Sequence, residues 1–234
     1  MVRPSSVLRL AAGRRTTPLW RNEAGGLTFR IEGDGPRVVK WNPAGSGESL
    51  ADEAERLRWL AGRVPAPQVL DAGTDASGEW LLTTAIPARS AVDERWLAEP
   101  AVAVRAIAEG LRRLHALDPD GCPYDWGVEH RLELLRRDGR RVPGELLDAP
   151  SADLVVCHGD PCAPNTLLGD DGSFAAIVDA ARIGVADRWA DLAVASMSLD
   201  WNYGPGWQPA FFRAYGVTPD ERRLAYYREL WNAE

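Results

Sequence analysis

The chain has 234 residues, 45% of them hydrophobic and 26% charged, with a formal net charge of −7. That length allows one large domain or two lobes with cores of their own, at the composition of an ordinary globule. The acidic balance argues against a nucleic-acid footprint, which needs a basic face, and suits a cationic small molecule better.

Residues 1–20 carry arginines but no sustained apolar run, so neither a signal peptide nor a membrane span is expected. Cys122, Cys157 and Cys162 form an odd set without a C-x-x-C pair, which fits the reducing cytoplasm. Cys157, His158 and Cys162 lack the fourth ligand and spacing of a zinc site, so free buried thiols are expected. Of the 27 basic side chains, all but Lys40 are arginine.

In chain order, residues 27–31 (LTFRI) and 37–41 (RVVKW) read as a β-hairpin around Gly33-Asp34-Gly35-Pro36. Alternation places Val38 and Lys40 on one face and Val39 and Trp41 on the other. A lysine on a core-facing side is costly unless paired, so Lys40 needs an acidic partner. A helix capped by Ser49 offers one. Leu50, Ala54, Leu57, Leu60 and Ala61 make its inward stripe. Glu53 falls inside that stripe and is preferred as partner over Asp52 and Glu55.

Residues 68–73 and 79–86 read as two strands, and Pro87 marks a boundary between lobes 1–87 and 88–234. Pro100 opens a helix with Ile107, Leu111, Leu114 and Leu117 at helical spacing and Asp118-Pro119 as its stop. His115 reads as a surface or packing histidine, and His130 as structural.

Two runs rich in β-formers follow, 154–156 and 174–178. Asp160 and Asn165 leave the first in a loop, and Asp179 ends the second. On neighbouring strand ends these side chains would form an oxygen-rich cage for Mg²⁺ and phosphate, with one carboxylate to orient an attacking hydroxyl. Asp187 and Arg188 read as local structural pairs. Helices are expected at 190–199 and 209–216, then a capping box Thr218-Pro219-Asp220-Glu221 and a last helix over 221–231. There is no Walker A pattern.

The combination His158-Gly159-Asp160, Asn165, then Val178-Asp179, Arg182, Gly184 and Ala186-Asp187-Arg188 resembles the aminoglycoside 3′-phosphotransferases. The resemblance implies an α+β, two-lobed protein-kinase-like fold. Its N-terminal nucleotide-binding lobe is a small antiparallel β-sheet plus one helix. Its C-terminal catalytic and substrate-binding lobe is mainly helical. The implied activity is ATP-dependent phosphorylation of an aminoglycoside hydroxyl, conferring antibiotic resistance. Asp160 would orient the hydroxyl and accept its proton, and Asn165 and Asp179 would hold Mg²⁺. Lys40, held by Glu53, would steady the ATP α/β-phosphates. The glycine-containing turn 22–26 would cover the phosphates, and the main chains of Thr84 and Ile86 would meet adenine. Asp191 matches the aspartate that anchors the catalytic loop. Arg182 lies either near the γ-phosphate and substrate or in a salt bridge within its loop. Glu234 would offer acid to a cationic drug.

The stretch 137–154, where relatives carry acidic substrate contacts, is short. Three alternatives stand beside this reading. One is a same-fold kinase of an amino sugar, choline-like amine or macrolide. Another is a catalytically silent nucleotide-binding protein. The third is a metal-dependent phosphohydrolase using His158, Asp160 and Asp179.

Overall fold

The computed structural model describes residues 3–22, 24–46 and 49–234; Glu23, in the glycine-containing turn, lies outside them. The chain separates into two compact units, Met1–Pro87 and Ala88–Glu234.

The first unit comprises α1 (Ser5–Ala11), β1 (Thr16–Arg21), β2 (Leu27–Ile31), β3 (Arg37–Pro43), α2 (Leu50–Leu60), β4 (Val69–Asp75) and β5 (Gly78–Thr84). Its strands form one antiparallel sheet in the order β1-β2-β3-β5-β4. One face packs Phe29, Ile31, Val39 and Leu82 beneath Val7 and Ala11 of α1. Burying each of the larger side chains stabilises the unit by roughly 1.5–3 kcal/mol. The sequence pattern did not reveal α1, because only Ser6, Val7 and Ala11 are buried in it. The other face carries Lys40, cross-strand from Thr28 and Leu81, and receives α2. Ser49 Oγ caps α2 by accepting from Asp52 N–H at 3.1 Å. Its buried stripe is Leu50, Glu53, Ala54, Leu57 and Leu60. Ala61, expected in that stripe, is exposed because the helix ends at Leu60 and Ala61 turns extended, with ψ 123°.

The second unit comprises β6 (Arg89–Ser90), α3 (Glu94–Ala98), α4 (Pro100–His115), α5 (Val128–Arg137), β7 (Leu154–Cys157), β8 (Thr166–Leu168), β9 (Phe174–Ile177), β10 (Gly184–Asp187), α6 (Arg188–Tyr203), α7 (Gln208–Tyr215) and α8 (Glu221–Ala233). The two apolar runs are strands but not neighbours. β7 pairs with β10, and β9 pairs with β8, which also pairs with β6. The partner strands have three or four residues each, too short to show a local pattern. Asp187 caps α6 by accepting from Trp189 N–H at 3.2 Å, whereas Arg188 reaches Asp153 at 2.7 Å. The cap of α8 is Asp220, accepting from Arg223 N–H at 3.1 Å, two residues beyond the expected Thr218. Among the described residues, no helix is long and apolar enough to cross a membrane.

Candidate active site

The loop after β7 is held from three sides. Asp191, fully buried in α6, accepts from His158 N–H at 2.6 Å through Oδ2 and from Gly159 N–H at 3.0 Å through Oδ1. Burial pushes its carboxyl upward. Hydrogen bonds, first that from the His115 ring and then that from the His158 amide, outweigh this and hold it below the usual carboxylate value. The His158 ring braces the loop from the second side. Nε2 lies 3.0 Å from the Val178 carbonyl, which only accepts, and Nδ1 lies 3.3 Å from Asp160 N–H, which only donates. The proton is therefore on Nε2. On the third side Asn165 Nδ2 donates to the Asp160 carbonyl at 2.9 Å, and the Asn165 carbonyl accepts from Val178 N–H at 2.9 Å. These bonds knit Asp160 and Asn165 to the residue just before Asp179.

Asp179 adopts a left-handed backbone with φ 63°. For a residue other than glycine this costs about 1–3 kcal/mol and persists where neighbours enforce it. Asp160 Oδ1 is buried and, among the described residues, has no hydrogen-bond partner. The Cys162 thiol beside it is pushed well up by burial, then by the Asp160 charge and by a hydrogen bond to the Asp160 side chain, so it is protonated and unreactive.

Gly159 has φ 82°, and a Cβ placed there would lie 2.4 Å from the Arg182 carbonyl oxygen. The His-Gly-Asp turn thus rests directly on the loop that carries Arg182. Gly159→Ala is expected to destabilise the protein by about 1–3 kcal/mol and to lower turnover further by displacing Asp160. A denaturation midpoint measured beside kcat on the same preparation checks both effects.

In the first unit, Lys40 Nζ meets both Glu53 carboxylate oxygens, at 2.7 and 2.9 Å. The Glu53 side chain is 4% exposed. Asp52 and Glu55, the alternatives weighed above, are exposed. Thr84 N–H donates to the Gln68 carbonyl at 2.9 Å, and Thr84 Oγ1 accepts from Gln68 N–H at 3.0 Å. Ile86 is half-buried just beyond β5.

Arg182 does not close a salt bridge within its own loop. Its Nη1 lies 3.4 Å from Glu234 Oε2, and its guanidinium is 5.5 Å from the ring centres of Trp126 and of Trp231. Glu234 Oε1 is held at 2.5 Å by Nε of Arg131, a buried arginine on α5. Sequence reasoning missed Arg131. The usable signal was its place in the stripe with Leu132 and Leu135, the same clue that exposed Glu53. His115 is buried rather than on the helix surface, bonded to Asp191 and Tyr215, and the His130 and Trp126 ring centres are 5.8 Å apart.

A lysine–glutamate pair joining a β-sheet to its helix in one unit, and an Asp-x-x-x-x-Asn loop with an aspartate just past a strand in the other, are the parts of a kinase-type phosphotransferase. The sequence matches the phosphotransferase enzyme family over residues 21–227, and the chain belongs to that family. The aminoglycoside 3′-phosphotransferase of Streptomyces fradiae is 32% identical over 246 residues, covering 89% of this chain and 91% of that one. The streptomycin 3″-kinase of Streptomyces griseus is 33% identical over 241 residues, covering 89% and 88%. Among solved structures, an aminoglycoside-3′-phosphotransferase of type VIII superposes with a TM-score of 0.80 at 31% identity, covering 95% of this chain and 94% of its own. The fold is therefore that of these protein-kinase-like enzymes. The Streptomyces rimosus enzyme APH(3″)-Id, solved with ADP and streptomycin, superposes with a TM-score of 0.75 at 28% identity over 97% of this chain and 96% of its own.

Proposed function

We propose that the protein phosphorylates a hydroxyl of an aminoglycoside with ATP, and so inactivates the antibiotic in the cytoplasm. The observation that carries the chemistry is the Asp160 carboxylate on a loop fixed by main-chain bonds, its buried Oδ1 without a hydrogen-bond partner among the described residues. A buried acceptor without a partner is costly unless something donates to it. The substrate hydroxyl is that donor. Asp160 orients it and takes its proton, and positioning is most of the work in phosphoryl transfer.

The first unit serves the nucleotide. Lys40, aimed by Glu53, takes the α/β-phosphates, and Thr84 and Ile86 take adenine through main-chain atoms. Because Thr84 N–H is committed to Gln68, Thr84 contributes its carbonyl.

In the second unit, Asn165 Nδ2 is committed to the Asp160 carbonyl, which turns Oδ1 the other way. That oxygen and the Asp179 carboxylate are hard donors of the kind Mg²⁺ takes. When bound, the ion neutralises charge on the transferring phosphates. Arg182, its guanidinium 5.5 Å from each of two indole ring centres, serves the phosphoryl group and substrate. Both oxygens of Glu234 are engaged by arginines, so it acts on the substrate through Arg182.

His158 has both ring nitrogens committed to main-chain groups, which argues against the phosphohydrolase and against zinc at this loop. A Mg²⁺-ATP assay against kanamycin, neomycin and streptomycin, with products read by mass and by NMR, tests the proposal. Transfer of one phosphoryl group at the 3′ or 3″ hydroxyl is expected. Nucleotide hydrolysis with every drug unmodified would defeat it.

Glu234→Gln should lower kcat about 3- to 10-fold, the size of one partly exposed charge-assisted bond. KM for ATP should stay constant. Steady-state kinetics with each substrate varied separately checks this.

A further inference from the structure

His115 ends α4 with both ring nitrogens engaged in the protein interior. Nε2 lies 3.0 Å from Asp191 Oδ2, and Nδ1 lies 2.7 Å from the Tyr215 hydroxyl at the end of α7. His115, Asp191 and Tyr215 are all buried, and the two rings meet edge-on with centres 5.6 Å apart. Burial holds Tyr215 as a neutral phenol, with its ionisation pushed up to about 12. A hydroxyl donating to Nδ1 leaves the ring proton on Nε2, facing the carboxylate.

Asp191 Oδ2 therefore takes two donors, the ring of His115 on one side and the amide of His158 on the other. Oδ1 takes the amide of Gly159. A carboxylate in a dry interior sits where its donors hold it, since nothing else compensates its charge. Removing the ring donor leaves the carboxylate to the two loop amides alone. The loop that bears Asp160 is then no longer referenced to α4 and α7.

We infer that His115, oriented by Tyr215, is a positioning residue that sets the loop carrying Asp160 by way of Asp191. This rests on the phosphotransferase reading above. His115 reaches the reacting atoms only through the carboxylate, so a fall in turnover at constant substrate affinity is its signature. A residue that merely packed α4 against α6 and α7 would alter stability and leave kcat per folded molecule unchanged.

The test compares His115→Leu, His115→Gln and Tyr215→Phe by steady-state kinetics, scaled to folded fraction, and by amide hydrogen exchange in the intact chain. Leucine keeps bulk and drops the donor. Glutamine restores an N–H toward Asp191. For His115→Leu, kcat should fall about tenfold or more with both KM values within about twofold, and glutamine should recover most of that loss. Tyr215→Phe should lose about two- to fivefold in kcat. Amides of residues 158 and 159 should exchange faster in the leucine variant than in wild type or the glutamine variant, while those of β8 and β9 keep their protection.

An unchanged kcat in His115→Leu, a glutamine variant no better than leucine, or exchange raised evenly through the second unit would each overturn the inference. If His115→Leu does not fold, Tyr215→Phe decides by the same two readouts, and wild-type values in both would overturn it. Should wild type phosphorylate no aminoglycoside while the expected exchange pattern holds, the substrate reading falls and this inference stands.

Discussion

Asp160→Asn is expected to lower kcat by about 10²- to 10⁴-fold, the range for losing a positioned proton acceptor, while ATP affinity stays near that of wild type. The substitution is nearly isosteric. The bonds that shape the loop at this position use the Asp160 main chain: its N–H to His158 Nδ1 and its carbonyl to Asn165 Nδ2. The loop therefore survives the change, and the loss isolates the carboxylate. An amide also places an N–H donor or a weaker acceptor where Oδ1 has no hydrogen-bond partner among the described residues. Single-turnover phosphotransfer to a drug, with nucleotide binding measured by titration, separates the two quantities. Wild-type transfer by the variant would remove Asp160 from the mechanism.

Lys40→Met should raise KM for ATP by about tenfold or more, the size of losing a charge-assisted phosphate contact. It should also destabilise the first unit. Glu53 is buried, with both oxygens on the ammonium at 2.7 and 2.9 Å. Breaking a fully buried pair costs about 3–5 kcal/mol. The Lys40 side chain is 24% exposed, so water offsets part of that loss and about 1–3 kcal/mol is expected. Lys40→Met/Glu53→Gln should recover much of the stability, because no buried charge is left alone, yet none of the ATP affinity. Lys40→Arg should fail in affinity as well, since a planar fork does not replace a compact ammonium. Chemical denaturation and ATP titration of all four proteins test the pair. Equal recovery of stability and affinity in the double variant would contradict a phosphate role for Lys40.

What the sequence revealed and what it hid follow from the range of the interactions. Glu53 was legible because a carboxylate inside an apolar helical stripe must have a partner, and the single lysine lay one strand away. The residues around Asp160 and Asp179 were legible because loop chemistry is local. Their framework was not. β7 finds its partner about 30 residues later in β10, which nothing in Gly184–Asp187 announces. The partner of Arg182, Glu234, lies 52 residues on, and Arg131 approaches Glu234 from 103 residues back. Such clamps leave no periodic trace. Helix α1 escaped for another reason: only Ser6, Val7 and Ala11 are buried in it, below what a periodicity count resolves.

The arginine bias of the chain has a practical consequence for covalent chemistry. With every other basic side chain a guanidinium, Lys40 carries the sole ε-amine. An amine-selective acylating reagent thus has one side-chain target, the α-amino group aside. That target sits partly exposed on the sheet face assigned to the nucleotide phosphates. Under the phosphate role proposed for Lys40, ATP is expected to shield it from acylation, an effect readable on the intact protein.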